Sequence, residues 1–148
     1  MLILGCGNRQ RGDDAAGILV AERLRTLGIA AEVCAGEPSE LMEAWSSADD
    51  VMVIDAVVAG APVGSVHVWD GRHPPQFATA KRSTHGFGVA EAIELGRALD
   101  RLPARLRVYG IEGKNFEVGR AVSPEVQRAV EEVVHRIAAE LRPAEQPD

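Results

Sequence analysis

The feature of this sequence that most constrains its fold is an alternation of short apolar runs with stretches of helical periodicity. Five apolar runs predict five strands: Met1–Leu4, Ala31–Ala35, Val51–Ile54, Ser65–Trp69 and Leu106–Ile111. The stretches that follow most of them repeat apolar residues at helical spacing, with the longest such stripe after Ser123. An alternation of this kind predicts an α/β protein, with a mostly parallel sheet between helices on both faces.

The length of the chain fits a single domain. Its 148 residues can enclose one hydrophobic core, and neither a repeat nor an interdomain linker is visible. The prediction is one domain over residues 1–142, followed by a polar and disordered tail over residues 143–148.

Charge and composition exclude several classes of protein. The formal net charge is −6 and aromatic residues make up only 4% of the chain, which argues against a nucleic-acid partner. Because no apolar run approaches about 20 residues and no basic leader precedes Met1–Leu4, we expect a cytoplasmic protein without membrane insertion. Cys6 and Cys34 are too few for a secreted disulfide scaffold and are predicted to be free thiols.

Three polar residues stand where the crevice of such a sheet would lie. Asp14 falls in the first turn after the first strand, Asp55 follows the central apolar strand, and His85 opens a later helix. Functional side chains of open α/β sheets gather at the carboxyl ends of the strands. Two carboxylates and one imidazole brought together there would form a three-ligand metal site with open positions.

Each of these residues also has a structural interpretation. The Asp14 carboxylate could simply stabilise the helix by lying at the positive end of its dipole. Its neighbour Asp13 is predicted to be the N-cap of that helix. Asp55 could be a core acid whose carboxylate has a hydrogen-bonding or charged partner, because burying it alone is costly. For His85, a structural role and a role as a metal ligand are equally plausible. His67 is predicted to be a surface residue within its strand, and His73 and His135 are predicted to be solvated.

The glycine-rich segment after the first strand, Gly5–Gly12, could suggest a phosphate cradle. Its spacing does not match GxGxxG, and no GK[ST] follows it. Asp13 and Asp14 stand where a phosphate would meet the helix, so they favour a cation there. A GxSxG nucleophile elbow is also absent from the sequence, which leaves a serine hydrolase without an obvious nucleophile.

The order of the motifs resembles the hydrogenase maturation proteases, a family of nickel-dependent endopeptidases. The matching segments run in the same order over nearly the whole chain: Gly5–Asn8, Gly12–Gly17, Gly36–Leu41, Val53–Ala56, Ser83–His85, Gly110–Glu112 and Ser123–Val126. The resemblance implies a three-layer α/β/α sandwich with a twisted, five-stranded, mostly parallel sheet. Its one antiparallel strand would be Ser65–Trp69.

The same resemblance implies a function and a set of site residues. The substrate would be the precursor of a [NiFe]-hydrogenase large subunit, cut after its final nickel-binding cysteine motif once nickel is inserted. The metal ligands and catalytic residues would be Asp14, Asp55 and His85. The nickel is expected to come with the substrate, Asn8 is a candidate for binding the substrate tail, and the protein is expected to be a monomer.

Two alternatives from other classes stay open at this point. A peptidyl-tRNA hydrolase-like esterase has a similar fold and opening motif, but it needs a catalytic histidine near the first helix and a basic groove. This chain has Asp13-Asp14 and a net negative charge instead. A non-catalytic nickel-binding chaperone could use the same three ligands.

Overall fold

The computed structural model describes residues 1–76 and 88–142, and in these ranges it contains one five-stranded sheet and four α-helices. The strands are β1 (Leu2–Cys6), β2 (Glu32–Cys34), β3 (Asp50–Val57), β4 (Val66–Asp70) and β5 (Arg105–Glu112). The helices are α1 (Ala16–Thr26), α2 (Pro38–Trp45), α3 (Gly88–Ala98) and α4 (Pro124–Leu141), and a 3₁₀ turn over Gly12–Ala15 precedes α1.

The sheet has the order β2-β1-β3-β5-β4. The strands β2, β1, β3 and β5 run parallel, whereas β4 pairs antiparallel with β5 at one edge. This arrangement confirms the predicted mixed sheet and its antiparallel strand. Parallel pairing places the carboxyl ends of β1, β2, β3 and β5 along one edge, which is where ligands bind in open sheets of this kind.

Two hydrophobic cores lie on opposite faces of the sheet because side chains alternate along each strand. On β3, Met52, Ile54 and Ala56 pack in the core beneath α1 and α4. Val51, Val53 and Val57 pack in the other core, beneath α2 and α3. This burial of both sheet faces confirms the three-layer sandwich.

The central strand is longer than its apolar run suggested. β3 continues through Asp55 to Val57, so Asp55 lies within the strand and does not follow it. Its neighbour β5 extends equally far and pairs Gly110 with Asp55. Backbone pairing to β5 therefore holds Asp55 in place near the end of β3, whereas a residue in a loop could move.

Asp13 has a different role from the predicted helix cap. Its side chain is fully buried in the 3₁₀ turn, far in sequence from the groups that it binds. The carboxylate accepts hydrogen bonds from the backbone N–H groups of Lys114 (2.9 Å), Asn115 (3.1 Å) and Ser123 (2.7 Å). The Asp13 N–H in turn donates to the Asn115 carbonyl at 2.7 Å. Asp13 therefore joins the turn before α1 to the loop between β5 and α4.

Ser123 stands at the predicted N-cap position of α4, and Pro124 is the first residue of that helix. Its hydroxyl does not cap the helix, however, but donates to Asp13 Oδ2 at 2.8 Å.

Burial alone would raise the pKa of Asp13, but the bonds from Lys114, Ser123 and Asn115 together outweigh it and hold that pKa below its ordinary value. The folded state therefore favours the ionised carboxylate.

No helix in residues 1–76 or 88–142 is long and apolar enough to cross a membrane. The predicted tail, residues 143–148, lies outside the described residues, as does the segment 77–87.

We predict that Asp13→Asn lowers the free energy of unfolding by about 3 kcal/mol at pH 7. The amide turns an NH2 group toward buried donors and leaves at least one of them without an acceptor, at about 1–3 kcal/mol each. Because the pKa of Asp13 is lowered on folding, its contribution is present above the unfolded pKa, near 4, and is lost as the pH falls further. Urea unfolding at pH 7 and at pH 3 measures both effects.

Asp14→Asn is the matched control, because it changes the next carboxylate in the same turn. Its side chain is partly exposed, so we expect it to change the unfolding free energy by less than about 1 kcal/mol. Equal losses from the two substitutions would contradict the structural role of Asp13.

Candidate active site

Asp55 lies at the carboxyl end of β3, on the sheet face that α2 and α3 cover. Alternation places its side chain on the same face as Val53 and Val57. β1 pairs with β3 up to Gly5 and Ile54, so Cys6 and Asp55 follow side by side at the edge of the sheet. Asp55 is buried at this position.

As a whole residue, Asp55 is 6% exposed. Within the described part of the chain, it accepts one hydrogen bond, from the Ala56 N–H at 2.8 Å. Burial, and then the negative charge of Asp14, raise the pKa of Asp55 well above its ordinary value, against the smaller effect of Ala56. An ionised carboxylate is thus costly at this position unless a cation accompanies it.

Asp14 lies in the 3₁₀ turn and is partly exposed. Its backbone is held on both sides, because its N–H donates to the Arg11 carbonyl at 3.0 Å and its carbonyl accepts from the Asn8 N–H at 3.2 Å. The Gly7 backbone packs so closely against the Asp14 carbonyl that any side chain at Gly7 would overlap it. Asp14 is therefore fixed at the site edge, where its charge acts on Asp55.

The structure brings two of the three predicted site residues into one electrostatic environment. The third, His85, lies outside the described residues, so its position relative to Asp14 and Asp55 stays a prediction. Residues 1–76 and 88–142 hold no cluster of three or more acidic, histidine or cysteine side chains arranged for a metal ion. Two neighbouring carboxylates, one of them buried and difficult to ionise alone, are nevertheless a donor set suited to a divalent cation.

Asn8, the predicted substrate-binding residue, is exposed in the loop after β1. Its Oδ1 accepts a hydrogen bond from the Gln10 N–H at 2.9 Å, which stabilises the loop. The loop borders a groove of about 440 Å³ lined by Gly7, Asn8, Arg9, Ile18, Val33, Cys34, Ala35 and Glu40. A larger groove of about 730 Å³ lies at the opposite edge, beside Met1, Asp50 and Arg105, and is remote from the predicted site residues.

The sequence did not predict a contact at the end of β5 between the buried Glu112 and the partly exposed His67. Glu112 is 2% exposed and accepts hydrogen bonds from the Ala59 N–H at 2.9 Å and from His67 Nε2 at 3.1 Å. The His67 side chain is 21% exposed, so it reaches the surface as predicted, but its bond to Glu112 was not predicted. His73 and His135 are exposed as predicted. Only the antiparallel pairing of β4 with β5 brings His67 to this position, and no local pattern indicates that pairing.

Cys6 and Cys34 are both free thiols, as predicted. They are paired residues at the ends of β1 and β2, and their sulfur atoms lie 2.7 Å apart. The hydrogen bond between the two sulfur atoms and burial raise the pKa of Cys6 well above its ordinary value. The same bond, helped by the Gly36 N–H, lowers the pKa of Cys34.

Comparisons with known proteins agree with this fold. The chain is 27% identical to the hydrogenase 2 maturation protease of Escherichia coli strain K12, over 96% of this chain and 90% of that protein. It is 30% identical to protein FrxA of Pyrococcus furiosus, over 90% of this chain and 99% of that protein. Its structure matches the hydrogenase maturating endopeptidase HybD of Escherichia coli with a TM-score of 0.76 and 25% identity, over 95% and 91% of the two chains.

The sequence profile of a protein family described as hydrogenase maturation protease matches residues 35–140, which include Asp55 and His85. Asp14 and Asn8 precede the matched range but lie within the long alignments to single relatives. With the profile covering most of the chain and the fold shared, this chain belongs to the hydrogenase maturation protease family.

Proposed function

We propose that this chain is an endopeptidase that removes the C-terminal extension of a [NiFe]-hydrogenase large-subunit precursor after nickel insertion. The observation that carries the proposal is the family match over residues 35–140, and the buried Asp55 carboxyl beside the charge of Asp14 supports a cation site within it. A stabilising role would favour a satisfied acid, as Asp13 is. A buried acid beside a second acid is instead suited to a site that is completed when a cation enters.

In this proposal Asp14, Asp55 and His85 hold the nickel that the precursor presents. Two carboxylates supply negative charge, and an imidazole adds a nitrogen donor of the kind that nickel accepts. When bound, the nickel would act as a Lewis acid on the scissile carbonyl. Because the ion arrives with the substrate, cleavage would depend on correct metal loading.

The chain's own residues then have separate tasks. One of the two carboxylates, Asp14 or Asp55, would also take a proton from the attacking water. Asp14, held by the backbone of Gly7 and Asn8, keeps its position as the charge at the site changes. The Asn8 side-chain amide nitrogen would donate to a carbonyl of the substrate tail.

The family match argues against one alternative function, and an experiment decides the other. The family match favours a protease over a peptidyl-tRNA hydrolase-like esterase. A nickel-binding chaperone would use the same three ligands without cleavage, and it is distinguished by product analysis.

The direct test uses the purified chain with a hydrogenase large-subunit precursor, prepared with and without nickel. We expect the nickel-loaded precursor to lose a C-terminal peptide and the nickel-free precursor to stay intact, with both outcomes read by mass spectrometry. Stable binding of the loaded precursor without cleavage would support the chaperone. Equal cleavage of both precursors would exclude a role for nickel.

We predict that Asp55→Asn raises stability at neutral pH while abolishing processing. In the folded chain Asp55 holds its proton more tightly than in the unfolded chain. The unfolded state therefore ionises first, and stability falls as the pH rises from about 4 toward the folded pKa. The amide removes this loss, so urea unfolding from pH 4 to pH 8 should show a flatter profile for the variant.

Processing by Asp55→Asn should fall by about 100-fold or more, since even residues that only support a metal ligand cost about 10–100-fold when changed. If the variant is less stable than the wild type at pH 8, Asp55 is instead a core acid whose hydrogen bonds stabilise the fold. A folded variant that processes at the wild-type rate would refute the proposed role.

His85 is tested against a histidine remote from the site. We predict that His85→Ala reduces processing of nickel-loaded precursor by about 100-fold or more, because one of three donors is lost. His135→Ala is the control, since His135 is exposed on α4 and bonds only to the Glu131 carbonyl among the described residues. Circular dichroism confirms folding of both, and equal processing by the two variants would remove His85 from the site.

A further inference from the structure

The two thiols at the ends of β1 and β2 form a pair that the proposed protease function does not use. Cys6 and Cys34 are register partners on parallel strands, with their sulfur atoms 2.7 Å apart. Neighbouring strands lie about 4.8 Å apart, which is within the range of about 4.4–6.8 Å between the Cα atoms of disulfide-bonded cysteines. The backbone therefore already holds the two residues at a separation that a disulfide can span.

Access to the two sulfur atoms is unequal. Cys6 is fully buried under α2 and α3, whereas Cys34 is partly exposed and lines the groove beside Asn8 and Arg9. A small oxidant entering the groove meets Cys34 first. Cys6 lies directly behind it, shielded from solvent but within bonding reach.

The backbone next to this pair contacts Asp14 on one side and the start of α3 on the other. Gly7, the residue after Cys6, packs against the Asp14 carbonyl, and Gly7 N–H donates to the Cys34 carbonyl at 3.1 Å. Gly36, two residues after Cys34, packs against Gly88 at the start of α3. A covalent bond between the thiols would therefore constrain the segment that positions Asp14 and the segment that contacts α3.

We propose that Cys6 and Cys34 form a peroxide-reactive thiol pair, in which Cys34 reacts first, Cys6 closes a disulfide, and the disulfide slows processing at the neighbouring site. The Cys34 sulfur attacks one oxygen of hydrogen peroxide and breaks the O–O bond, which yields a sulfenic acid and one water. The Cys6 sulfur then attacks the sulfenic sulfur and releases the second water. Two thiols are oxidised by two electrons, and one peroxide is reduced to two waters.

The first experiment tests the chemistry without any precursor. Reduced protein is treated with one equivalent of hydrogen peroxide, and we expect the loss of two hydrogen atoms in mass, both thiols blocked to alkylation, and a peptide linked through Cys6 and Cys34. Dithiothreitol should restore both thiols. Two thiols that stay titratable in the denatured, peroxide-treated protein would overturn the proposal.

The order of reaction is tested with single substitutions. Cys6→Ser should accumulate a sulfenic acid on Cys34, which dimedone traps, and Cys6→Ala provides a second variant should a buried hydroxyl prevent folding. In Cys34→Ser, the buried Cys6 should react at least tenfold more slowly than Cys34 does in the wild type. Oxidation of Cys6 in that variant at the wild-type rate would contradict the assignment of Cys34 as the first thiol.

The effect on processing rests on the proposed function and is measured separately. Peroxide is removed with catalase before nickel-loaded precursor is added, and we expect the disulfide form to process at least fivefold more slowly than the reduced form. Reduction and desalting should restore the rate. For Cys34→Ser, the rates with and without peroxide should be equal, whatever its own basal rate.

The possible failures are distinguishable. If the reduced wild type does not process the precursor, the proposed function fails, and the mass and thiol measurements still decide whether the pair reacts. If the disulfide forms and the two forms process equally, the link between the thiol pair and the active site is wrong.

Discussion

The interaction on which this architecture depends is the buried carboxylate of Asp13. Its side chain collects three backbone N–H groups and one hydroxyl from Lys114, Asn115 and Ser123. The two Ser123 donors are buried and would otherwise lack partners, at a cost of about 1–3 kcal/mol each. One acid thereby fixes the loop that leads into α4 and the turn that leads into α1, two elements that pack together on one face of the sheet. The position of Asp14 follows, because it is the next residue of the same turn.

Asp13 and Asp55 show how the surroundings of an acid determine its role. Both side chains are buried, but hydrogen bonds lower the pKa of Asp13, whereas burial and a neighbouring acid raise that of Asp55. The first is complete within the fold and stabilises it. The second lies where burial and the charge of Asp14 disfavour its ionised form, which suits the cation site proposed for it. In a member of the hydrogenase maturation protease family, that difference separates the structural acid from the one proposed to act on substrate.

The site combines rigid and open parts. β3 and β5 hold Asp55 through paired backbones, and Gly7 and Asn8 hold the backbone of Asp14. The groove beside them is bordered by an exposed loop and by the short edge strand β2. Such an arrangement keeps the acids in place next to a groove that is open to solvent. The thiol pair lies between these parts, so chemistry at Cys34 reaches the residues that orient Asp14.

The sequence by itself determined the layered α/β fold, the five strands and the placement of Asp14 and Asp55 at one sheet edge. Local periodicity encodes these features, and parallel pairing brings the strand ends together. Only the tertiary structure decided which acid has its hydrogen-bond donors within the fold, because the donors to Asp13 lie about a hundred residues away along the chain. It likewise decided that His67 meets Glu112 and that Cys6 faces Cys34, since strand register sets both pairs. Periodicity shows which face a side chain takes, but its partner depends on contacts between segments that are distant in sequence.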